Sequence, residues 1–213
     1  MSEQKIKKIN NLKRLEGFLQ LNYLKGFKYV DKAGEFINNL YKGGKYPGHA
    51  MDPTGMIIKF DEKTELKVSP HHLWMRFIEP DSFDYQRQDF EKKATLVNSI
   101  FEPAEYTRIG WRSYFVYECG NTYPKVVSLD FLSGADFGEI VFTKKLKDFD
   151  SRISVSRIIK KENSAKAILF DIDIFYKEKI TRDDFAKIST LLKDIEDAYK
   201  SEELLNIINS LLA

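Results

Sequence analysis

The sequence predicts an α+β protein, with a largely antiparallel sheet or sheets, amphipathic helices packed on the sheet faces, and two helices at the C-terminal end. Three observations carry that reading. Residues 167–176, A-I-L-F-D-I-D-I-F-Y, alternate with period two and set Ile168, Phe170, Ile172, Ile174 and Tyr176 on one side. Residues 81–101 and 182–199 instead repeat their apolar side chains at helical spacing. The later strand-like segments are separated by turns too short for parallel crossovers, which makes them an antiparallel meander.

Composition sets the outer bounds. Of 213 residues, 43% are hydrophobic and 31% charged, and 14% are aromatic, which favours a packed sheet over disorder. The length suits one large domain or two of about 100 residues. A formal net charge of +2 gives no global field for nucleic acid or a membrane surface. Cys119 is the single cysteine, so no internal disulfide forms, in keeping with a reducing compartment. Residues 1–14 lack the apolar core of a secretory signal, and no run of about 18 apolar residues spans a bilayer. The expectation is a cytoplasmic protein without membrane contact.

In chain order, Lys5, Lys7, Lys8, Lys13 and Arg14 read as a frayed, solvated tail. Residues 15–23 alternate as a strand that Gly26 breaks. Asp31 caps a helix over about 31–42, with Ala33, Phe36, Ile37, Leu40 and Tyr41 inward, and Gly43-Gly44 stops it. Residues 46–55 carry Pro47, Gly48, Pro53 and Gly55 and read as a loop. Residues 56–60 and 65–68 flank a polar turn as a hairpin, and a strand follows over 73–78. Asp81 or Ser82 caps a helix reaching Phe101, with Phe83, Phe90, Ala94, Val97 and Ile100 inward and Arg87, Asp89, Glu91 and Lys92 outward. Pro103 ends it.

Residues 106–119 make a long strand with Ile109, Trp111, Phe115 and Tyr117 on one parity and Arg108, Gly110, Arg112 and Tyr114 on the other. Gly120-Asn121 is the best seam, dividing an N-terminal α+β half (1–120) from a C-terminal meander with two helices (121–213), unless the whole is one domain. Strands are expected over 125–132, 139–147, 151–160 and 165–176. Thr181 with Asp184 opens a helix over 182–199, and Ser201 caps a last one bearing Leu204, Leu205 and Ile208.

Arg108-Ile109-Gly110-Trp111-Arg112, continuing Ser113-Tyr114-Phe115, together with the late strand Phe170-Asp171-Ile172-Asp173 and the closing helical segment 182–212, resembles an uncharacterised prokaryotic family of sporadic distribution. Ser113 interrupts the family's Arg-Tyr pair, and Val116 or Tyr117 stands where Asn is usual. The resemblance implies a bacterial accessory protein, with a link to defence or immunity, and no assigned chemistry.

The candidate polar cluster is Asp171, Asp173, Arg108 and Arg112. Two carboxylates at i, i+2 on a strand lie about 6.6–6.8 Å apart at Cα and point the same way. With a third ligand such as Asp130 they suit Mg²⁺ or Mn²⁺. Beside a core, however, they call for cations, and Arg108, Arg112, Arg152 and Arg157 are the available partners, so ion pairing is the preferred reading. His49, His71 and His72 lack zinc-site spacing, and Cys119 has no identifiable base, so both read as structural. No phosphate loop or nucleophile elbow occurs, and Gly43-Gly44-Lys45 follows a helix rather than opening one. Lys144, Lys145, Lys147, Lys160, Lys161 and Lys166 alternate with acids and read as solvated edge charge rather than a nucleic-acid stripe.

No catalytic, cofactor-binding or metal residue is therefore assigned. The expected function is non-enzymatic binding, with a protein partner, nucleic acid disfavoured, and a homo-oligomer left open. The alternatives are a metal-dependent phosphoryl-transfer or hydrolytic enzyme using Asp171 and Asp173, and a nucleic-acid binder.

Overall fold

Among the described residues, the α+β fold is realised as ten strands in one open, largely antiparallel sheet with four α-helices. The structure is a computed structural model, and it describes residues 6–24, 26, 28–42, 48–120, 123, 139–159 and 165–212. The strands are β1 (Lys13–Leu24), β2 (His49–Asp52), β3 (Gly55–Lys59), β4 (Thr64–Val68), β5 (His72–Ile78), β6 (Glu105–Gly120), β7 (Glu139–Leu146), β8 (Phe149–Ile159), β9 (Lys166–Tyr176) and β10 (Ile180–Thr181). The helices are α1 (Tyr29–Leu40), α2 (Phe83–Ile100), α3 (Ala186–Tyr199) and α4 (Glu202–Leu212). Hydrogen bonding orders the strands β2-β3-β4-β5-β1-β6-β9-β8-β7, with β10 against β6. By its contacts the chain divides into two compact units: unit 1 holds Met1–Glu16, Arg112–Ile174 and Asp197–Ala213, and unit 2 holds Gly17–Trp111 and Phe175–Glu196.

In unit 2, β2 to β5 form an antiparallel meander whose register sets Met56, Ile58, Leu66, Val68, Leu73 and Met75 on one face, all fully buried. α2 packs against β5, and α1 packs against α2. Phe83 of α2 meets Trp111 at 5.2 Å between ring centroids, and Phe36 of α1 stacks on Phe101 at 5.1 Å. Each such ring, fully removed from water, contributes roughly 2–3 kcal/mol. Ser82 caps α2 by accepting from the Tyr85 N–H. Thr107 and Arg108, both half-buried, separate buried Tyr106 from buried Ile109, so the alternation of β6 slips by one residue there.

In unit 1, Ile168, Phe170, Ile172 and Ile174 of β9 are fully buried, as are Ile153 and Val155 of β8 to within 1%. β7 and β8 pair antiparallel through the two-residue turn Lys147-Asp148, where Lys147 takes φ 54. That left-handed conformation is what tight hairpin turns require, and glycine or asparagine would adopt it with less strain. β7 ends the strand order and keeps Lys144 and Lys145 exposed, the charged edge that discourages further strand pairing.

Four expectations are corrected. The N-terminal segment is not a frayed tail over its described part. Ile6, Ile9 and Leu12 are buried, a 3₁₀ turn spans Ile9–Asn11, and Ile6 exchanges backbone hydrogen bonds with the Asn209 amide of α4. Three apolar residues at a spacing of three outweigh the lysines between them, which stay exposed. α1 begins at Tyr29, two residues before Asp31, because Tyr29 is itself inward-facing at 1% exposure. Within the expected loop, His49–Asp52 pairs with β3 as an exposed edge strand; Pro53 falls in the turn, where its missing N–H costs nothing. The helix expected over 182–199 opens as a 3₁₀ turn, Arg182–Asp184, before α3. The expected strand 125–132, the Gly43-Gly44 stop and the 162–164 turn lie outside the described residues.

Candidate functional site

The acid–arginine cluster is built on two strands of unit 1. Arg112 and Tyr114 project from the parity of β6 opposite its buried face, and Asp171 and Asp173 from the corresponding parity of β9. Arg112 Nε donates to Asp171 Oδ1 at 2.7 Å and Nη2 donates to Oδ2, a bidentate fork; Arg152 Nη1 stands 3.7 Å from Oδ2. The Asp171 side chain is 10% exposed, whereas the two arginine side chains are each 41% exposed. Hydrogen bonding from Asp171 raises the Arg112 pKa against the opposing effect of burial, and the charge of Asp173 adds to it. Arg112 also lies over the Tyr114 ring at 5.1 Å. Both Asp171 oxygens accept from one guanidinium, the charge-assisted fork that a desolvated carboxylate calls for. Among the described residues no group of three His, Cys, Asp or Glu side chains is placed to hold a metal ion, and Asp130 lies outside them.

Behind this cluster, on the buried side, Arg14 Nη2 donates to Ser113 Oγ at 2.8 Å and its guanidinium lies 5.9 Å from the Phe115 ring centroid. Tyr199 Oη donates to the Ile172 carbonyl at 2.6 Å. Burial pushes Arg14 down to about 9 and Tyr199 well up. Sequence reading missed both partners. By sequence Arg14 reads with the tail lysines and Ser113 as an interruption in a motif, although Ser113 occupies the buried parity of Ile109, Trp111 and Phe115.

Arg108 goes elsewhere, within unit 2. Its guanidinium lies over Phe175 at 4.7 Å from the ring centroid, and Nη1 donates to Gln20 Oε1 at 2.9 Å. Gly110 makes room for this. A Cβ there would stand 3.2 Å from Arg108 Cζ and 3.2 Å from Phe175 Cβ, tighter than ordinary contact. On the same half-buried face Phe18 meets Trp74 edge-on at 6.3 Å, and Arg76 lies 5.8 Å from the Phe18 centroid. The register continues the array outward through the rungs Lys67–Trp74, Glu65–Arg76, Ile57–Lys67 and Lys59–Glu65. Lys177 covers Phe175 from a further direction at 4.5 Å. A shallow hollow of about 620 Å³, lined by Lys59, Phe60, Glu65, Arg76 and Ile78 among others, borders it. A period-two reading of residues 17–23 and 72–78 as one pair of faces would have found Phe18, Trp74 and Arg76; the sequence reading followed only the buried parity.

Arg87, expected on the outer face of α2, is a half-buried hub. Nε donates to Glu196 at 2.8 Å, Nη1 to Glu91 at 2.9 Å and Nη2 to Asp84 at 2.5 Å. Glu196 of α3 is fully buried, so the arginine is drawn inward to neutralise it. Burial opposes the Arg87 charge, but its three carboxylates raise the pKa overall.

The histidines build no catalytic pair. Ser69 Oγ lies 3.0 Å from His72 Nδ1, yet it already accepts the N–H groups of His71 and His72 at 3.1 Å, closing a turn. Burial, with Lys67 and His71, lowers the His72 pKa. His49 is exposed on the β2 edge strand. Burial pushes the Cys119 thiol up to about 11, which disfavours the nucleophilic thiolate. Lys144 pairs with Glu203 at 3.5 Å and Lys166 lies over Tyr123 at 5.3 Å; Lys160 and Lys161 are outside the described residues. Among the described residues no helix is long and apolar enough to cross a membrane. Compared with known proteins, the chain matches no protein-family model, and no curated protein matches it significantly.

Proposed function

We propose that this chain is a non-enzymatic binding protein, and that its contact surface is the half-buried sheet face of unit 2 centred on Phe18, Trp74, Arg76 and Arg108. The observation that carries the reading is the contact array itself: two aromatic rings packed edge to face, with arginines lying over Phe18 and Phe175. Tryptophan and arginine dominate the energetics of contact surfaces, because each combines a large apolar body with fixed polar atoms. The polar clusters that resemble enzyme parts are closed on themselves by contrast, as Asp171 is on Arg112. A cytoplasmic accessory role accords with the lone cysteine thiol and with the family resemblance.

The test is affinity capture from the native host with the wild-type chain and with Trp74→Ala/Arg108→Met, both shown by thermal melting to be folded. A partner recovered by the wild type and lost by the variant is the expected result. Equal recovery by both would move the contact surface elsewhere.

A further inference from the structure

We propose that Ser69 and His72 form an acid-sensitive latch, in which the neutral His72 ring holds the β4–β5 turn closed and its protonation opens that turn. The two residues face each other across the hairpin. The Ser69 N–H donates to the His72 carbonyl at 2.9 Å, one rung beyond the Val68–Leu73 pair, with Pro70 and His71 as the loop. Ser69 is 4% exposed, and its hydroxyl is the centre of the turn. Oγ accepts the backbone N–H groups of His71 and His72, each at 3.1 Å. It thereby takes the His72 N–H that a turn of this length ordinarily returns to the Ser69 carbonyl. That carbonyl accepts from Tyr23 Oη at 2.5 Å, and the Tyr23 N–H donates to the His71 carbonyl at 2.9 Å, so the turn is fastened to β1 as well.

The hydroxyl fixes the state of the histidine. A serine hydroxyl has two acceptor lone pairs and one proton to give. The two backbone N–H groups fill both lone pairs. The contact of Oγ with His72 Nδ1 at 3.0 Å is therefore made by the serine proton, with Nδ1 as acceptor. His72 is then neutral, with its own proton on Nε2. Protonation adds a proton at Nδ1, aimed at an oxygen with no lone pair left. The Ser69 proton must turn to the His72 carbonyl, which stands at 3.5 Å and already accepts the Ser69 N–H, and one of the two backbone donors loses its acceptor. The surroundings oppose the charge as well. Burial, then Lys67 from β4 and His71 from the loop, lower the His72 pKa from its ordinary 6.5, while the Tyr23 hydroxyl from β1 is turned to the Ser69 carbonyl. A histidine depressed in the folded state contributes stability that is complete above 6.5 and is lost as pH falls through its folded value, so the latch opens on the acid side of neutrality. His72, Trp74 and Arg76 share a parity of β5, which puts the latch at the end of the contact face proposed above, but its action does not depend on that face being used.

NMR of the full chain from about pH 8 to about pH 5 tests this. At the alkaline end the ring nitrogens of His72 should show the tautomer protonated at Nε2. On acidification the ring should titrate below 6.5, and the His71 and His72 amide protons should shift with the same midpoint. Their hydrogen-exchange protection, corrected for the intrinsic pH dependence of exchange, should fall about five- to tenfold, the equivalent of roughly one hydrogen bond. His72→Phe removes the titrating ring and leaves Ser69 its two backbone donors, so protection in that variant should no longer change with pH. His71→Gln should leave the transition in place. Ser69→Ala should lower protection at every pH and remove its pH dependence; should that variant fail to fold, His72→Phe carries the test. A His72 ring protonated at Nδ1 at about pH 8, or amide protection unchanged down to about pH 5, would overturn the latch. So would a pH dependence that persists in His72→Phe or one that disappears in His71→Gln.

Discussion

β6 carries two arginines that meet opposite chemistry in the two units. In unit 1, Arg112 closes its fork on Asp171, whose side chain is 10% exposed. In unit 2, Arg108 places its Cζ over the Phe175 ring at 4.7 Å from the centroid and donates an N–H to Gln20. The first arginine is fixed by its donors, which point inward at a desolvated anion. The second also rests its guanidinium on a ring, through dispersion and the ring quadrupole. The residue that β9 offers decides between the two: aspartate at 171, phenylalanine at 175. The difference is measurable as stability, because the cost of removing an arginine should follow how deeply its partner anion is buried.

The deepest case is Arg87, whose partner Glu196 has a side chain 1% exposed. Arg87→Met should therefore cost about 3 kcal/mol, since an uncompensated buried carboxylate remains, with Lys193 at 3.5 Å as partial relief. Urea denaturation of the variant checks this. A loss under about 1 kcal/mol would show that water or another cation reaches Glu196.

Arg112→Met comes next, at about 1.5–2 kcal/mol, because Asp171 keeps Arg152 at 3.7 Å and its arginines are partly solvated. A double-mutant cycle with Asp171→Asn isolates the pair, and its coupling should approach 1 kcal/mol or more. Additive single effects would break the distinction between the two arginines of β6.

Much of this architecture was legible from pattern alone. The buried parity of β9, the stripe of α2 and the β3–β4 hairpin follow from period and turn chemistry, which are local properties of the chain. The partners of charged residues were not legible in the same way. Arg112 with Asp171 was anticipated because both sat on strands of matching polarity. Arg108 was grouped with them on parity, yet which β9 residue it meets depends on strand order and register, which one sequence does not specify. Arg87 looked solvent-facing because its neighbours on the helix are charged; the buried Glu196 that draws it inward lies more than a hundred residues away in the chain. Ser113 and Arg14 were hidden for the same reason, each being intelligible only beside the other. The aromatic face of unit 2 was missed because Phe18 and Trp74 occupy the half-buried parity, where a single aromatic residue is unremarked until strand pairing sets two of them together.

The smallest stability effect belongs to Arg108. Arg108→Met should lie within about 1 kcal/mol, since the stem still packs on Phe175 and the hydrogen bond to Gln20 that it loses has a neutral, half-buried acceptor. Gly110→Ala is the sharper probe, because it leaves the arginine in place and takes away only the space it uses. The added Cβ would stand 3.2 Å from Arg108 Cζ and Nη1, so the guanidinium must shift, while alanine's lower chain entropy offsets the displacement by about 0.5–1 kcal/mol. Stability should hardly change, but the upfield ring-current shift of the Arg108 side-chain protons over Phe175 should shrink in the NMR spectrum. An unchanged shift in Gly110→Ala would mean that Arg108 does not need the glycine to lie on the ring. The close approach of backbone, guanidinium and phenyl would then be no part of what distinguishes this arginine from Arg112.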